Sequence, residues 1–239
     1  MRPVVVLAGG LGTRLRELTG DVRPKAMVEV SGRPFIDWKL QGLAHAGVSR
    51  VIVLTGRHGD QIEQHVGTGS QYGLQVSCVH DGPQLLGTGG AIRAAVAELG
   101  ESFWVTYGDT YLRVDVQAAE AALEERGVRS LMTVLRNRDE FEISNVSARD
   151  GLVVEYEKGA APGTHEFIDY GMLLLDRDAL AGFPVQAFDL SSVIRDLIAE
   201  SQMMAFVVTE RFYEVGTPES LRETERWLSQ TRQWATITA

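Results

Sequence analysis

Three short stretches of this sequence carry residue types suited to handling phosphate. The first runs Leu7-Ala8-Gly9-Gly10-Leu11-Gly12-Thr13-Arg14-Leu15, with Pro24-Lys25 downstream. Glycines this dense after an apolar run let the backbone approach a ligand closely, and their N–H groups can cradle an anion. Arg14 and Lys25 then supply cations for phosphate oxygens. The same residues also suit a flexible strand-to-helix connection bearing two solvated cations, so the loop alone leaves both readings open. The second stretch, Phe103 to Thr110, is an apolar strand ending in Gly108-Asp109. Ligands of open α/β sheets collect at the carboxyl ends of strands, which puts Asp109 and the glycine loop on one crevice. A carboxylate beside bound phosphates makes chemical sense with Mg²⁺ between them, and the alternative is an ordinary Gly-Asp turn. The third, Leu86-Gly87-Thr88-Gly89-Gly90-Ala91, precedes a helical pattern through Ala95 and Leu99. Close approach of Gly87 and its neighbours to a flat ligand explains the glycines, and so does a helix entrance partly capped by Thr88.

Other chemistries fit less well. A dinucleotide fingerprint starting at Gly10 puts Leu15 where its third glycine belongs, and the dipeptide Gly-Lys of a Walker loop occurs nowhere in the chain. None of His45, His58, His65, His80 and His165 has His-Glu-x-x-His spacing. Cys78 and His80 share one face of a strand, but two ligands without a third make a poor metal site.

The elements that must position these residues follow from hydrophobic period. Val4 to Ala8, Val51 to Leu54, Leu74 to Val79, Phe103 to Thr106 and Leu131 to Leu135 read as buried strands. Between them, Phe35 to Ala46, Gln61 to Val66, Ala91 to Leu99 and Val116 to Arg126 carry apolar residues at helical spacing. The alternation predicts βαβ units, a mostly parallel sheet and helices on both faces. After about Asn137 the rhythm changes. Ile143 to Ser147 and Val153 to Tyr156 flank an Asp150-Gly151 turn as a hairpin, followed by a strand from Phe167 to Leu175. A helix from Leu190 to Glu200, strands at Ala205 to Val208 and Tyr213 to Val215, and a last helix opened by Thr217-Pro218 complete the pattern. Arg136 to Glu140 reads as a solvated connection, and Trp227 and Trp234 as packing residues of the terminal helix and tail; an exposed tryptophan pair would instead mark a homo-oligomer contact.

Composition bounds the function classes. At 239 residues and 44% hydrophobic, the chain can fill one large α/β core, and no linker divides it, so residues 1–239 are expected to form one domain. Its 23 Lys plus Arg against 32 Asp plus Glu give a net charge of −9, opposite to a general nucleic-acid binder. The single Cys78 forms no internal disulfide, which suits a reducing compartment. No segment approaches the roughly 20 apolar residues that cross a bilayer. A soluble, cytoplasmic protein is expected.

Taken in order, the stretches LAGGLGTRL, Pro24-Lys25, LGTGGA and Gly108-Asp109 resemble the sugar-1-phosphate nucleotidyltransferases. So do Glu155-Tyr156-Glu157-Lys158, Tyr170-Gly171 and Tyr213-Glu214-Val215-Gly216-Thr217-Pro218-Glu219. Within that family the LGTGGA stretch looks most like the D-glycero-D-manno-heptose 1-phosphate guanylyltransferase branch, with N-acetylmuramate 1-phosphate uridylyltransferases close by. The resemblance implies a Rossmann-like, glycosyltransferase A-like three-layer sandwich with a mostly parallel mixed central sheet. It implies condensation of a nucleoside triphosphate with a sugar 1-phosphate, by Mg²⁺-dependent in-line attack on the α-phosphorus and loss of pyrophosphate. By position, Ala8, Gly9, Gly10 and Gly12 match backbone contacts to the nucleotide, and Thr13, Arg14 and Lys25 match the grip on the triphosphate. Asp109 matches the metal-binding aspartate. Glu157 and Lys158 match an acidic-basic pair near the sugar phosphate, and Tyr170-Gly171 a backbone contact to the sugar. Glu214 stands where the family usually has aspartate as a second metal ligand.

For the base, Asp81 in His80-Asp81-Gly82 offers one clue. A carboxylate facing the base edge accepts paired hydrogen bonds from guanine N1–H and NH₂, which favours GTP; Asp81-Gly82 also suits a plain turn. Transfer of uridylyl or cytidylyl groups, and a non-catalytic nucleotide-sugar sensor, remain as other readings. A dinucleotide oxidoreductase is the weaker rival.

Overall fold

The computed structural model describes residues 1–10, 20 and 22–230. Gly12, Thr13, Arg14 and Trp234 lie outside the described residues.

The apolar runs form the strands β1 (Val4–Ala8), β4 (Arg50–Thr55), β5 (Gln75–His80), β6 (Ser102–Tyr107), β8 (Ser130–Arg136), β11 (Phe167–Asp176) and β12 (Met203–Val208). With β9 (Val146–Arg149) and β10 (Leu152–Tyr156) they make a nine-stranded sheet in the order β5-β4-β1-β6-β11-β8-β12-β10-β9. By their pairings, β5, β4, β1, β6, β8, β12 and β9 run one way, and β11 and β10 the other. Two small two-stranded pairs lie outside this sheet: the hairpin of β2 (Glu29–Val30) with β3 (Arg33–Pro34), and the long-range pair of β7 (Thr110–Tyr111) with β13 (Tyr213–Glu214).

Side chains alternate across β1 and sort the core into two layers, as a period of two requires. Val4 and Val6 join Val51, Val53 and Trp104 beneath α1 (Phe35–His45), α2 (Gly59–Val66) and α4 (Val116–Arg126). Val5 joins Ile52, Leu54, Phe103 and Val105 beneath α3 (Gly87–Ala95) and α5 (Ser191–Ala199). Both faces are covered, which is why the strands read as continuous apolar runs. The last helix, α6 (Pro218–Gln230), brings Trp227 into stacking with Tyr213 at 4.2 Å between ring centroids, so Trp227 is a packing residue.

The chain steps outward from β1 to β4 and β5, then returns to place β6 on the other side of β1. The carboxyl ends of β1 and β6 therefore diverge at a switch point, where open α/β sheets hold their ligands.

Two expected boundaries differ in ways that bear on the site. The hairpin strand begins at Val146 rather than Ile143, because Asn137 is buried and ties down the preceding turn. Its Nδ2 donates to the Glu142 carbonyl at 2.6 Å and Ser144 Oγ at 3.0 Å, and its Oδ1 accepts from Phe141 N at 3.1 Å. The segment from Arg136 to Glu140 is thus anchored by its asparagine rather than merely solvated. Helix α3 starts at Gly87, so the glycines form its first turn instead of preceding it. They let the turn press on the segment 186–190: a Cβ on Gly89 would lie 2.2 Å from Phe188 Cε2, and one on Gly90 2.2 Å from the Gln186 carbonyl oxygen. Thr88 does not cap α3; its Oγ1 accepts from Leu190 N at 2.8 Å.

Gly90→Ala is expected to force backbone apart there, costing about 1–3 kcal/mol as overpacking does. Urea denaturation checks this, and unchanged stability would mean that the 186–190 segment yields freely.

Candidate active site

The first cavity, of about 280 Å³, opens at the switch point. Gly9 and Gly10 line it after β1, Asp81 after β5, Gly87 and Thr88 from α3, and Tyr107 and Asp109 from the end of β6. Ala8 ends β1 just behind it. Asp81 Oδ2 accepts the Leu86 N–H at 3.0 Å. Burial raises the Asp81 pKa, against the opposing pull of that N–H and of His80. Asp81 is therefore a half-buried acceptor on the cavity wall, and one oxygen is already engaged.

The second cavity, of about 710 Å³, shares Tyr107 and Asp109 with the first. Lys158, Tyr170, Gly171 and Glu214 line it, with Tyr156 of the same motif as Lys158, and so do Asn145 and Asp169, which sequence reasoning did not single out. The pairing of β11 with β8 shifts register between Asp169 and Leu173, and Gly171 takes φ +92° within that irregularity. Such bulges re-aim side chains beside sites. Here Gly171 N donates to Asp169 Oδ1 at 2.9 Å, Asp169 N donates to Asn145 Oδ1 at 2.9 Å, and the Tyr156 hydroxyl also bonds Asp169. Burial raises the Asp169 pKa, opposed by the Gly171 N–H and the Lys158 charge. Tyr107 and Tyr156 are held protonated by burial first and by nearby carboxylates second, so both stay hydrogen-bond donors. Lys158 Nζ sits 2.9 and 3.0 Å from the two oxygens of Asp189. Burial would raise Asp189, but Lys158 and the Ser191 N–H prevail and hold it at about 2.

The remaining expected residues separate. The Tyr170 ring packs edge-on against Phe212 at 6.0 Å, and its hydroxyl accepts from Arg113 N at 3.2 Å, which leaves backbone to face the cavity. Glu157 is not among the cavity-lining residues; its Oε2 lies 3.7 Å from His165 Nε2. In place of Glu157, the cavity wall carries Asp169, whose carboxyl feels the Lys158 charge.

Asp109 stands where the cavities meet. Its partner Lys25 approaches Oδ2 at 2.5 Å. Gly108 N donates to the Leu7 carbonyl at 2.9 Å, and a Cβ on Gly108 would come within 3.1 Å of that oxygen, so glycine seats Asp109 against the end of β1. Val215 N donates to the Asp109 carbonyl at 2.9 Å, and β13 pairs Glu214 with Thr110. That pairing brings Glu214 to the cavity that Asp109 lines. Gly216 makes room for the Glu214 carboxylate, since a Cβ there would meet Oε1 at 2.1 Å.

Comparison with known proteins follows this geometry. A family model described as nucleotidyl transferase matches residues 3–231. The D-glycero-alpha-D-manno-heptose 1-phosphate guanylyltransferase of Campylobacter jejuni is 25% identical over 90% of this chain and 95% of its own length. The N-acetylmuramate alpha-1-phosphate uridylyltransferase of Caulobacter vibrioides is 30% identical over 95% of this chain and 96% of its own length. Among solved structures, HddC from Yersinia pseudotuberculosis complexed with GMP-PN superposes with a TM-score of 0.79 at 28% identity, covering 95% of this chain and all of that one.

Lys39 is a further residue of the site region, legible as the one lysine on the apolar stripe of α1 formed by Phe35, Ile36, Leu40 and Leu43. It is fully buried, and its Nζ donates to Thr106 Oγ1 at 2.7 Å and the Thr110 carbonyl at 2.8 Å, bracketing Asp109 in sequence. Burial lowers its pKa to about 7, while the Asp109 charge works the other way. The unfolded chain, titrating near the ordinary 10.5, therefore holds an extra proton between about 7 and 10.5. The cost of this group to folding shrinks as pH rises through that window. We expect the stability of the metal-free protein relative to Lys39→Met to rise between about pH 7 and 9 in urea denaturation. A pH-independent difference would show that Lys39 titrates normally.

Proposed function

Because this chain belongs to the nucleotidyl transferase family and is a sugar-1-phosphate nucleotidyltransferase, we propose that it condenses GTP with a heptose or hexose 1-phosphate, giving a nucleoside diphosphate sugar and pyrophosphate. The observation that carries the reading is the junction: two cavities, one edged by glycine backbone and one by hydroxyl-binding groups, share Asp109 and Tyr107. In this reading Gly9, Gly10, Gly87, Thr88 and Asp81 hold the nucleotide, with Ala8 behind them. By their place in the family motif, Gly12 joins the nucleotide contacts, and Thr13 and Arg14 grip the triphosphate. Lys158, Tyr170 and Gly171 hold the sugar phosphate, with Glu157 as a neighbour outside the cavity wall. The reading takes residues 1–239 as one catalytic domain acting in the cytoplasm, and among the described residues no helix is long and apolar enough to cross a membrane.

Family members generally use a divalent metal. Here Asp109 and Glu214 line one cavity, and the described residues hold no cluster of three or more His, Cys, Asp or Glu for an ion. Two hard carboxylate oxygens with room for phosphate and water suit Mg²⁺, which rarely takes an all-protein cage. When bound, Mg²⁺ would neutralise charge developing on the phosphates. The chain's own part is alignment and charge cancellation. The sugar phosphate is already a competent nucleophile, so no protein base is needed. Lys25 would move from Asp109 to bridge phosphates of the two substrates, and Arg14 would stabilise charge on the α-phosphate and the departing pyrophosphate.

For the base, Asp81 supports GTP by accepting from guanine N1–H and NH₂; uracil offers a single donor on that edge. The named similarity to a guanylyltransferase and to a structure complexed with GMP-PN supports the same choice. UTP and CTP are the alternatives, since a uridylyltransferase is similar over the full length as well.

Pyrophosphate release from a matrix of triphosphates and sugar 1-phosphates is the deciding experiment, and release with no pair would return the chain to a sensor role. Asp109→Asn is expected to lower kcat by about 10²- to 10³-fold with the circular dichroism spectrum unchanged. Near-normal turnover would remove Asp109 from the metal. Asp81→Asn is expected to lower kcat/KM for GTP by about 1–3 kcal/mol while sparing UTP and CTP. An equal effect on all bases would sink the guanine assignment.

A further inference from the structure

The charge around the second cavity is lopsided. Besides Asp109 and Glu214, which the reading above gives to Mg²⁺, its described lining carries the acids Glu142 and Asp169 against the single cation Lys158, which is already engaged by Asp189 at 2.9 Å. Lys25, at the junction, faces Asp109 at 2.5 Å. No described cation of the wall is therefore left over for an anionic group on the sugar ring. From this we propose that the cavity selects uncharged, hydroxyl-rich sugar 1-phosphates and rejects those carrying a carboxylate, with Asp169 as the specificity-determining residue. The inference rests on the transferase reading above and narrows its substrate class.

The geometry of Asp169 suits that task. The phosphate end of the sugar belongs at Asp109, the residue shared with the nucleotide cavity, so the ring extends toward Asp169, Tyr156 and Lys158. Asp169 accepts from the Gly171 N–H and the Tyr156 hydroxyl, and an ionised carboxylate has about four acceptor positions, leaving capacity for ring hydroxyls. A hydroxyl donates into it, whereas a second carboxylate brings only lone pairs and like charge into a half-dry site. Its position is also fixed: the bulge at Gly171 and the Asn145 amide oxygen hold the backbone on both sides, so the carboxylate cannot swing away from an anionic guest.

The test compares two sets of sugar 1-phosphates by pyrophosphate release with the preferred triphosphate. The neutral set is glucose, galactose, mannose and D-glycero-D-manno-heptose 1-phosphate. The carboxylated set is glucuronate, galacturonate, mannuronate and N-acetylmuramate 1-phosphate. The best neutral substrate is expected to exceed the best carboxylated one in kcat/KM by about 100-fold or more, as like charge at short range in a low-dielectric site demands. Asp169→Asn keeps an acceptor for Gly171 and is expected to narrow that ratio about tenfold. Glu142→Gln, on an exposed residue whose side chain supports no described element, is expected to narrow it about threefold and guards against a folding failure of the first variant. A carboxylated sugar turned over as well as the best neutral one overturns the inference while leaving the transferase intact. A ratio unmoved by both variants overturns it as well. Absence of turnover with every sugar phosphate and every triphosphate overturns the functional reading, and the inference with it.

Discussion

In the proposed reaction two anionic reactants meet beside an aspartate in a chain whose own net charge is −9, and that repulsion is the constraint under which such a site must be organised. Positive charge is rationed to a few places. Lys25 faces Asp109, Lys39 lies beneath the turn that carries it, and Lys158 is kept at the far cavity by Asp189. Each of these amines has a partner in the ligand-free protein: a carboxylate for Lys25 and for Lys158, and two neutral oxygens for Lys39. The sheet supplies the other half of the answer. Backbone N–H groups of the glycine turn that begins at Gly9 and Gly10, past the end of β1, can add partial positive charge without adding a titratable group.

Asp109 is correspondingly overdetermined. Gly108 seats it against β1, the Val215 N–H holds its carbonyl, and Lys39 pins residues on both sides. None of these contacts touches the carboxylate itself, whose oxygens face the cavities and Lys25. Support through the backbone leaves the functional atoms free to change partners, which an ion pair with a deeper residue would not.

Much of this was legible in the sequence. The strand and helix alternation from Val4 to Leu135 gave the layers, because fully buried parallel strands write themselves as apolar runs, and the ordered motifs marked both cavities. What escaped depended on distance or disguise. The placement of Glu214 beside Asp109 comes from a pairing between residues about a hundred positions apart, which no local period encodes. Asp169 is hidden in the apolar strand FIDYGMLLLD, where an acid reads as an interruption until a bulge turns it inward. Glycines 87 to 90 signalled close approach correctly, but the partner for Gly89 and Gly90 is the chain itself at 186–188 rather than a ligand. Asn137 shows the opposite error: a polar residue in a charged run is buried because it is the hub of a turn.

The segment 186–190 has a wider role than filling space beside those glycines. The Phe188 carbonyl accepts from Gly89 N at 3.0 Å and Gly90 N at 3.3 Å, and Phe188 N donates back to the Leu86 carbonyl at 3.0 Å. One residue on, Asp189 grips Lys158, and the next, Leu190, is bound to Thr88 of the first cavity. One short run of chain, Phe188 to Leu190, therefore touches the walls of both chambers, and the first turn of α3 and the ammonium of Lys158 take their positions from the same three residues.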